Sequence, residues 1–357
     1  MPLCFSLILL SAEIMEGFPY AYGFPWHLSG YALANNLTLI QLASVGSIYL
    51  ISFCLIFICS SCFYLFGKPL WLMPALVLLC LWFTFGYFRL ENAPPQDAST
   101  QARIRLIQAN IDAKAKQNER GKLNSFLSYL NITSDPQKKP LELIIWPETA
   151  TPYIINEHPA AVTQITKRAR PEILTGALWR HQDMLYNSAI LINKSGLSSN
   201  RADKKILVPY GEYWPMPYFT QTYDTLLQGR LAFERAKQPP LLKTSQIGTA
   251  LILNCYENIF PLYTAQHALN ADFIVHLSNE AWFSGQTIVR QQNFYIDRLR
   301  AVETGLPLIR VSNFGFNGLI DGYGRILFKK LSEFPEAQDL ILPKKNTQPS
   351  GWVNIMN

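Results

Sequence analysis

The chain has 357 residues, of which 49% are hydrophobic, and its 31 Lys and Arg against 25 Asp and Glu give a formal net charge of +6 at pH 7. This length is enough for one large domain and a further segment. The basic residues form no stripe interleaved with aromatic residues, which argues against a nucleic-acid-binding protein.

The first part of the chain has the composition of a membrane region. No charged residue lies between His27 and Lys68, and residues 69–88 form a second uncharged run. Each run is long enough to cross a hydrocarbon core of ~30 Å as a helix, which needs about 20 residues. We therefore predict a partial transmembrane helix region over residues 1–90.

The ends of this region carry weaker signals. Residues 1–22 could be the end of a third membrane helix, because they lack the basic start and the small-residue cleavage site of a signal peptide. Lys68 lies between the two apolar runs, and positive loops tend to stay in the cytoplasm, which would place the rest of the chain on the exoplasmic side. Arg89, Arg103 and Arg105 favour the opposite orientation.

The remainder of the chain has the pattern of an α/β domain. A polar linker with two prolines, residues 91–100, is followed by short apolar runs that alternate with longer mixed segments. The apolar runs are predicted to be buried strands: Ile104–Gln108, Leu143–Trp146, Ile173–Gly176, Ser188–Ile192, Thr249–Leu253, Phe273–Leu277 and Leu308–Val311. Helices are predicted between them at residues 118–131, 158–169, 258–270 and 286–304. This alternation predicts an α/β domain over residues 101–343, with a site at the carboxyl ends of strands, followed by a loose polar tail over residues 344–357.

One cysteine stands apart from the other five. Cys255 is the only cysteine beyond the apolar first third of the chain, and it lies between an apolar run and a polar turn. A strand end of this kind presents a side chain at the mouth of a site. Taken alone, however, a cysteine in an apolar stretch is more often a buried core residue.

Three segments end apolar runs with reactive groups: Ile144–Glu148, Lys204–Glu212 and Asn254–Glu257. A free thiol has a pKa near 8.5, so about a few per cent is thiolate at neutral pH. A carboxylate can accept the thiol proton, and an ammonium group can favour the thiolate and donate to an oxyanion. Glu, Lys and Cys at three strand ends would therefore form a complete acyl-transfer site without a histidine.

A papain-like pair of cysteine and histidine is the competing mechanism. Its candidate bases are His158, His181, His267 and His276, of which His267 lies in a predicted helix after the cysteine and is expected to point away. No Ser nucleophile elbow of the G-x-S-x-G kind is present.

Taken together and in this order, the three reactive segments resemble the nitrilase (carbon–nitrogen hydrolase) superfamily. Within it they are most similar to the apolipoprotein N-acyltransferase family of bacterial inner membranes. Gly23–Trp26 looks like part of that family's membrane region, and Leu277–Phe283 with Arg298–Glu303 looks like the segment that follows its cysteine. The resemblance covers the chain from about residue 10 to about residue 330.

The resemblance implies a role for each residue of the triad. Glu148 would be the general base and Cys255 the nucleophile. Lys204, rather than Lys205, would stabilise the tetrahedral oxyanion together with the backbone N–H of Tyr256.

The same resemblance implies three supporting or substrate-binding residues, Glu212, Tyr256 and Glu257. It also implies the fold, an αββα sandwich attached to an N-terminal bundle of transmembrane helices.

The implied reaction is a ping-pong acyl transfer that needs no metal and no organic cofactor. An acyl chain would pass from a phospholipid to the cysteine as a thioester, and then to the α-amino group of a diacylglyceryl-cysteine at the N-terminus of a lipoprotein. The implied location is the bacterial inner membrane, with several membrane passes and a periplasmic catalytic domain.

Some features depart from the family pattern. The family normally has further membrane helices before Gly23 and one after the catalytic domain, so we expect this chain to be truncated at both ends. Asn293 replaces a usual histidine, Asp297 a usual alanine and Glu280 a usual aspartate. A membrane-tethered amidase of the same superfamily and an inactive remnant are the alternative functions.

Overall fold

The computed structural model describes residues 2–18, 23–63, 72–95, 102–116, 118–134, 140–169, 171–213, 232–283, 285–346 and 350–356. Its helices are α1 Pro2–Glu16, α2 Ala43–Phe63, α3 Leu72–Glu91, α4 Glu119–Thr133, α5 Pro159–Arg168, α6 Pro261–Ala268, α7 Thr287–Thr304 and α8 Gly351–Met356. Its strands are β1 Arg103–Gln108, β2 Leu143–Ile145, β3 Glu172–His181, β4 Met184–Asn193, β5 Gly196–Asp203, β6 Leu241–Lys243, β7 Thr249–Asn254, β8 Phe273–Asn279, β9 Leu308–Asn313, β10 Phe316–Ile320, β11 Ile326–Leu331 and β12 Glu336–Ile341.

The strands form two six-stranded sheets of similar construction. The first sheet has the order β12-β1-β2-β3-β4-β5 and the second the order β11-β10-β9-β8-β7-β6. In each sheet three neighbouring strands are parallel, β1 to β3 in the first and β7 to β9 in the second, and the other pairs are antiparallel. The carboxyl ends of both parallel sets are where polar loops can converge on a site.

Both faces of the central strands of each sheet are buried, which explains the continuous apolar runs in the sequence. In β2, Leu143 and Ile145 belong to the core between the two sheets, whereas Ile144 packs on the opposite side with α4 and α5. In β7, Ile252 faces the other sheet and Leu253 faces the outer helices. The alternation gives four layers, helix, sheet, sheet and helix, as the family resemblance implies.

Two helices of the described chain are apolar and long enough to cross a membrane, over Leu39–Phe63 and Leu72–Glu91. They overlap the two uncharged runs of the sequence. The segment before them contains α1 of 15 residues. Ile48 and Ile51 of α2 and Trp82 of α3 belong to the same buried cluster as residues of β7 and α7, so the apolar helices share a core with the second sheet.

A break in α2 joins it to α7 of the sandwich. Gly46 and Ser47 have non-helical backbone angles, with φ of 61° and ψ of −173° at Ser47. Glu303 on α7 accepts hydrogen bonds there from the Ser47 hydroxyl at 2.7 Å and from the backbone N–H of Ile48 at 2.9 Å. The carboxylate thereby satisfies donors that the interrupted helix leaves open, and Arg300 is the ion-pair partner of this carboxylate.

The structure corrects two expectations and leaves others untested. Part of the predicted loose tail is helical: α8 packs against α2, and Val353 is buried. Five strands were not predicted, namely β5, β6, β10, β11 and β12. Lys68 and residues 96–100 of the predicted linker lie outside the described residues.

Candidate active site

Glu148 lies just beyond the carboxyl end of β2, where the chain is tightly fixed. Trp146 stacks on Tyr129 and donates from Nε1 to the Thr133 hydroxyl at 2.9 Å. Gly176 of β3 passes directly behind Pro147 and Glu148. A Cβ added at Gly176 would lie 2.6 Å from the Cα of Glu148. Only a glycine permits this approach of two backbones, and the Glu148 side chain is held with 8% exposure.

Lys204 follows β5 and brings a buried ammonium group to Glu148. Its side chain is 1% exposed, and its Nζ lies 2.9 Å from Glu212 Oε1 and 3.4 Å from Glu148 Oε1. Burial by itself lowers the pKa of Lys204, but the charges of Glu212 and Glu148 outweigh it and raise the pKa well above its ordinary value. Lys204 is therefore a permanent cation in the site.

Cys255 follows β7 in the second sheet and has a strained backbone. It is partly buried and has a φ of 49°, the left-handed region that costs an ordinary residue about 1 kcal/mol or more. Burial first, and then the charge of Glu148, raise the pKa of the Cys255 thiol to about 12, although Lys204 lowers it. The resting Cys255 side chain is therefore a thiol rather than a thiolate.

Glu257 ties the nucleophile to the lysine segment. Its Oε2 accepts from the N–H of Asn254, and its Oε1 accepts from the N–H groups of Lys205 and Ile206 at 2.7 and 3.0 Å. The carboxylate, which is 1% exposed, thus bridges the end of β7 and the chain that leaves β5. Its role in the geometry is structural, because it lies behind the cavity.

Glu212 and Tyr256 hold two other sides of the site. Glu212 pairs with Lys204 through Oε1 and accepts from the N–H of Val208 at 2.9 Å through Oε2, which closes the loop after the lysine. Tyr256 donates from its hydroxyl to the carbonyl oxygen of Gly23 at 3.1 Å, and its ring lies 6.0 Å from that of Phe24. The N-terminal region therefore contacts the residue beside the nucleophile.

One cavity of about 560 Å³ is lined by Glu148, Lys204, Glu212, Cys255 and Tyr256, whereas Glu257 is not among its lining residues. Its polar floor contains the triad and Glu212, and much of its remaining wall is apolar or aromatic. The wall residues include Phe24, Trp26, Val208, Tyr256, Trp282, Phe283 and Val289. Lys205 is not among the lining residues, so the structure favours Lys204 of the two lysines.

The competing histidine mechanism finds no support in the geometry. His276 Nε2 lies 3.0 Å from the carbonyl oxygen of Cys255, a contact to the backbone rather than to the thiol. His267 packs on Tyr263, and His158 stacks on Tyr153. His181 is exposed at the end of β3.

Two contributions to the site were missed by sequence reasoning. Asn187 on β4 donates to Glu148 Oε1 at 2.9 Å, and His276 contacts the nucleophile's own carbonyl. The sequence signal for Asn187 was an asparagine at the start of an apolar run. His276 was a sequence candidate only as a base.

Family models match most of the chain. Residues 103–328 match the model described as carbon-nitrogen hydrolase, and residues 1–62 match the apolipoprotein N-acyltransferase N-terminal domain. Residues 63–102, which contain α3, lie between the two matches.

Curated relatives of the chain are named apolipoprotein N-acyltransferase. The apolipoprotein N-acyltransferase of Sinorhizobium medicae is 31% identical over 358 residues, which cover 94% of this chain and 66% of that protein. The apolipoprotein N-acyltransferase of Rickettsia typhi is 30% identical over 341 residues, which cover 92% of this chain and 67% of the relative. The chain thus spans about 66% of the length of the first of these relatives.

Solved structures share the fold at low identity. An amidase from Nesterenkonia sp. superposes with a TM-score of 0.52 at 16% identity, covering 73% of this chain and 95% of the amidase. The carbon-nitrogen hydrolase from Helicobacter pylori gives a TM-score of 0.50 at 17% identity, covering 68% and 89%. The sandwich is therefore a carbon–nitrogen hydrolase fold.

Proposed function

Because the chain belongs to the apolipoprotein N-acyltransferase family of the carbon–nitrogen hydrolases, we propose that it moves an acyl chain from a phospholipid to a lipoprotein. The acceptor is the α-amino group of a diacylglyceryl-cysteine, and the chain is carried between the two lipids as a thioester on Cys255. The observation that carries the proposal is the meeting of Glu148, Lys204 and Cys255 in a cavity whose wall includes residues of the N-terminal region.

In the first half-reaction Glu148 accepts the proton of the Cys255 thiol as the sulfur attacks the ester carbonyl carbon of the phospholipid. A carbon–sulfur bond forms, and the carbonyl oxygen becomes an oxyanion that the Lys204 ammonium and the Tyr256 backbone N–H stabilise. Collapse of the tetrahedral intermediate breaks the ester carbon–oxygen bond. The departing lysophospholipid oxygen takes the proton from Glu148, which leaves a thioester.

In the second half-reaction the α-amino group of the lipoprotein attacks the thioester, and Glu148 accepts a proton from the attacking nitrogen. The same oxyanion donors act again. Collapse expels the sulfur, which takes the proton from Glu148 and restores the Cys255 thiol. The thioester divides one difficult transfer into two easier ones.

The charges in the cavity suit these two half-reactions. The thiol, with its pKa raised to about 12, does not ionise at neutral pH without help, which prevents unproductive reactions. Glu148 Oε1, held by Asn187 and Lys204, is an acceptor aimed into the same cavity. One well-placed oxyanion donor lowers the barrier by about 3–4 kcal/mol in comparable enzymes.

The apolar helices support a lipid substrate. Val77, Leu81 and Phe83 of α3 are more than half exposed, a surface that suits a lipid surrounding better than water. We extend the proposal to a multi-pass inner-membrane protein with its sandwich on the periplasmic side. The aromatic cavity wall, Trp26 and Phe24 included, would then receive acyl chains that an amidase of small soluble amides does not need.

The proposal is tested by trapping the acyl-enzyme. The chain is purified in detergent and incubated with a phospholipid that bears an alkyne at the end of its acyl chain, and the modified peptide is identified by mass spectrometry. We expect acylation of Cys255, its loss in Cys255→Ser, and unchanged acylation in Cys59→Ser, which removes an exposed thiol of α2.

Addition of a diacylglyceryl lipopeptide should then discharge the label onto the peptide amine. Ammonia release from small amides without any acylation by phospholipid would refute the transferase and identify an amidase. Failure of both reactions would identify an inactive chain.

A further inference from the structure

His276 is a fully buried histidine whose contacts converge on the nucleophile's backbone. It lies on β8 with 0% exposure, and its Nε2 is 3.0 Å from the carbonyl oxygen of Cys255. A carbonyl oxygen only accepts hydrogen bonds, so Nε2 carries a proton and donates it.

That carbonyl and the N–H of Tyr256 belong to the same planar peptide unit. Fixing the direction of the carbonyl therefore fixes the direction of the N–H, which points the opposite way. In the proposed function this N–H is an oxyanion donor, so any rotation of the peptide would turn it away from the developing charge.

We propose that His276 is a positioning residue, which holds the Cys255–Tyr256 peptide so that its N–H faces the cavity. The inference rests on the proposed function for the role of that N–H. The hydrogen bond also polarises the peptide, which makes the N–H a better donor. It further steadies a nucleophile whose φ of 49° an ordinary residue adopts only when its surroundings impose it.

The imidazole itself is held from its other side. Its Nδ1 lies 2.8 Å from both carboxylate oxygens of Asp297 on α7 and 2.9 Å from Nη1 of Arg310. Arg310, which is opposite His276 in the register of β8 and β9, donates to Asp297 Oδ2 and also to Glu280 Oε1 at 2.7 Å. The two carboxylates thus hold the guanidinium, and Asp297 also holds the ring of His276.

The acid at the centre of this group remains ionised. Although burial raises the pKa of Asp297, the charges of His276 and Arg310 outweigh it and lower the pKa to about 2. An ionised Asp297 keeps one orientation of the ring, in the way that a carboxylate orients a histidine in other active sites.

The hydrogen-bonded cluster of His276, Asp297 and Arg310 also reaches the cavity wall. Asn258 donates from one amide to both Asn293 Oδ1 and Asp297 Oδ1, at 2.7 and 2.9 Å, and Asn293 lines the cavity. The support beneath the nucleophile is therefore continuous from the sheet to the site, and a shift of α7 would be felt at Cys255.

The test separates acylation, which needs an oxyanion donor, from alkylation, which does not. The full chain in detergent is reacted with p-nitrophenyl butyrate, whose burst of p-nitrophenolate measures acylation of Cys255, and with iodoacetamide, which alkylates the same sulfur without an oxyanion. The variants are His276→Leu, His276→Gln and the control Ser278→Ala. Ser278 is buried on the same strand, and its hydroxyl has no hydrogen-bond partner within the described residues.

We expect His276→Leu to slow the burst by about 30-fold through its maximal rate rather than its KM, because a misdirected donor loses part of the 10²–10³-fold effect of a removed one. Alkylation should change by less than about threefold. His276→Gln, whose side-chain amide can donate to the same carbonyl, should recover most of the burst, and Ser278→Ala should match the wild type.

Equal loss of acylation and alkylation in both His276 variants would overturn the inference, as would an unchanged burst in His276→Leu. Thermal unfolding of each variant identifies loss of the fold, and in that case His276→Gln decides the result. The activated ester also separates the two proposals, since a wild-type burst that depends on His276 supports this inference even if phospholipid is never a donor.

Discussion

The two sheets of the sandwich contribute to the cavity in different ways. The first sheet sends charged side chains into it: Glu148 after β2 and Lys204 after β5, with Glu212 closing the group. The second sheet sends one uncharged thiol, Cys255, and keeps its own charges beneath the site. In the proposed function, proton transfer and charge stabilisation therefore belong to one half of the molecule, and the geometry of the nucleophile belongs to the other.

This division has a physical advantage. A charge that must act on a reacting group has to face the cavity, whereas a charge that only holds the backbone is best paired and sealed from water and substrate. Glu257 is the link between the halves, because it extends from the nucleophile's turn to the lysine segment. Substitutions in the first half should therefore change the chemistry of the thiol, and substitutions at the link should change stability as well.

The largest effect is expected from Glu148→Gln. Loss of the general base should lower acyl transfer by about 10³-fold. The same change removes a negative charge that raises the pKa of Cys255, so alkylation by iodoacetamide at pH 8 should become several-fold faster. Both rates are measured on one preparation, with Glu157→Gln, an exposed acid on another face, as the control. A fall in both rates would contradict the assignment of Glu148 as a base.

Lys204→Met should lower both rates, in contrast to Glu148→Gln, which should lower one and raise the other. Acyl transfer should fall by about 10²–10³-fold with the loss of an oxyanion donor. Alkylation should also slow, because Lys204 lowers the pKa of Cys255. The buried Glu148 and Glu212 lose their cation, which should cost about 3–5 kcal/mol of unfolding free energy. Lys205→Met is the matched control, and an equal effect there would remove the distinction between the two lysines.

Glu257→Gln should weaken the link between the halves. Replacing one acceptor oxygen by an amide nitrogen loses a buried hydrogen bond, with a cost of about 1–3 kcal/mol. Thermal unfolding and acyl transfer should decline together. Glu172→Gln alters a buried acid away from the cavity and should affect stability alone.

Glu257 should also make the stability of the protein depend on pH. Burial raises the pKa of Glu257 from 4.5 to about 7, even though backbone donors and Lys204 lower it. Between these values the folded protein holds a proton that the unfolded chain releases, so this contribution to stability falls as the pH rises from about 4.5 to 7 and is level above. In Glu257→Gln it is absent, and the melting temperatures of the two proteins should therefore differ more at pH 5 than at pH 8. An equal difference at pH 5 and at pH 8 would show that Glu257 is ionised over this whole range in the folded protein as well as in the unfolded one.

Asn187→Ala should have the smallest effect of the series. Its amide donates one hydrogen bond to Glu148, so its loss should lower the maximal acylation rate by about tenfold, equivalent to a net hydrogen bond of about 1.4 kcal/mol, with little change in KM. Single-turnover acylation measures the rate. A change in KM alone would indicate that Asn187 contacts the substrate rather than the base.

The fold was only partly predictable from the sequence. The central strands were found because both of their faces are buried, so that each is an apolar run. The missed strands include β5, whose sequence is largely polar, and β12, which pairs with β1 across more than 200 residues. Such pairing depends on register between distant segments, and no local pattern specifies it.

The candidate site shows the same limit. Glu148, Lys204 and Cys255 could be proposed because each adjoins an apolar run and their segments follow a recognisable order, and the structure brings them to one cavity. The tail was misjudged because six residues with one buried valine carry too little pattern for a helix.

Sequence alone supplied the proposal that Glu148, Lys204 and Cys255 are the reactive residues, since the order of their segments resembles that of the carbon–nitrogen hydrolases. Tertiary structure alone decided what His276 does. Four histidines were candidates for a base, of which only His267 was expected to point away. Only the register of β8 with β9 and the packing of α7 set His276 against Arg310, Asp297 and the carbonyl of Cys255. A hydrogen bond to a backbone carbonyl depends on positions in space, which neighbouring residues in the chain do not encode.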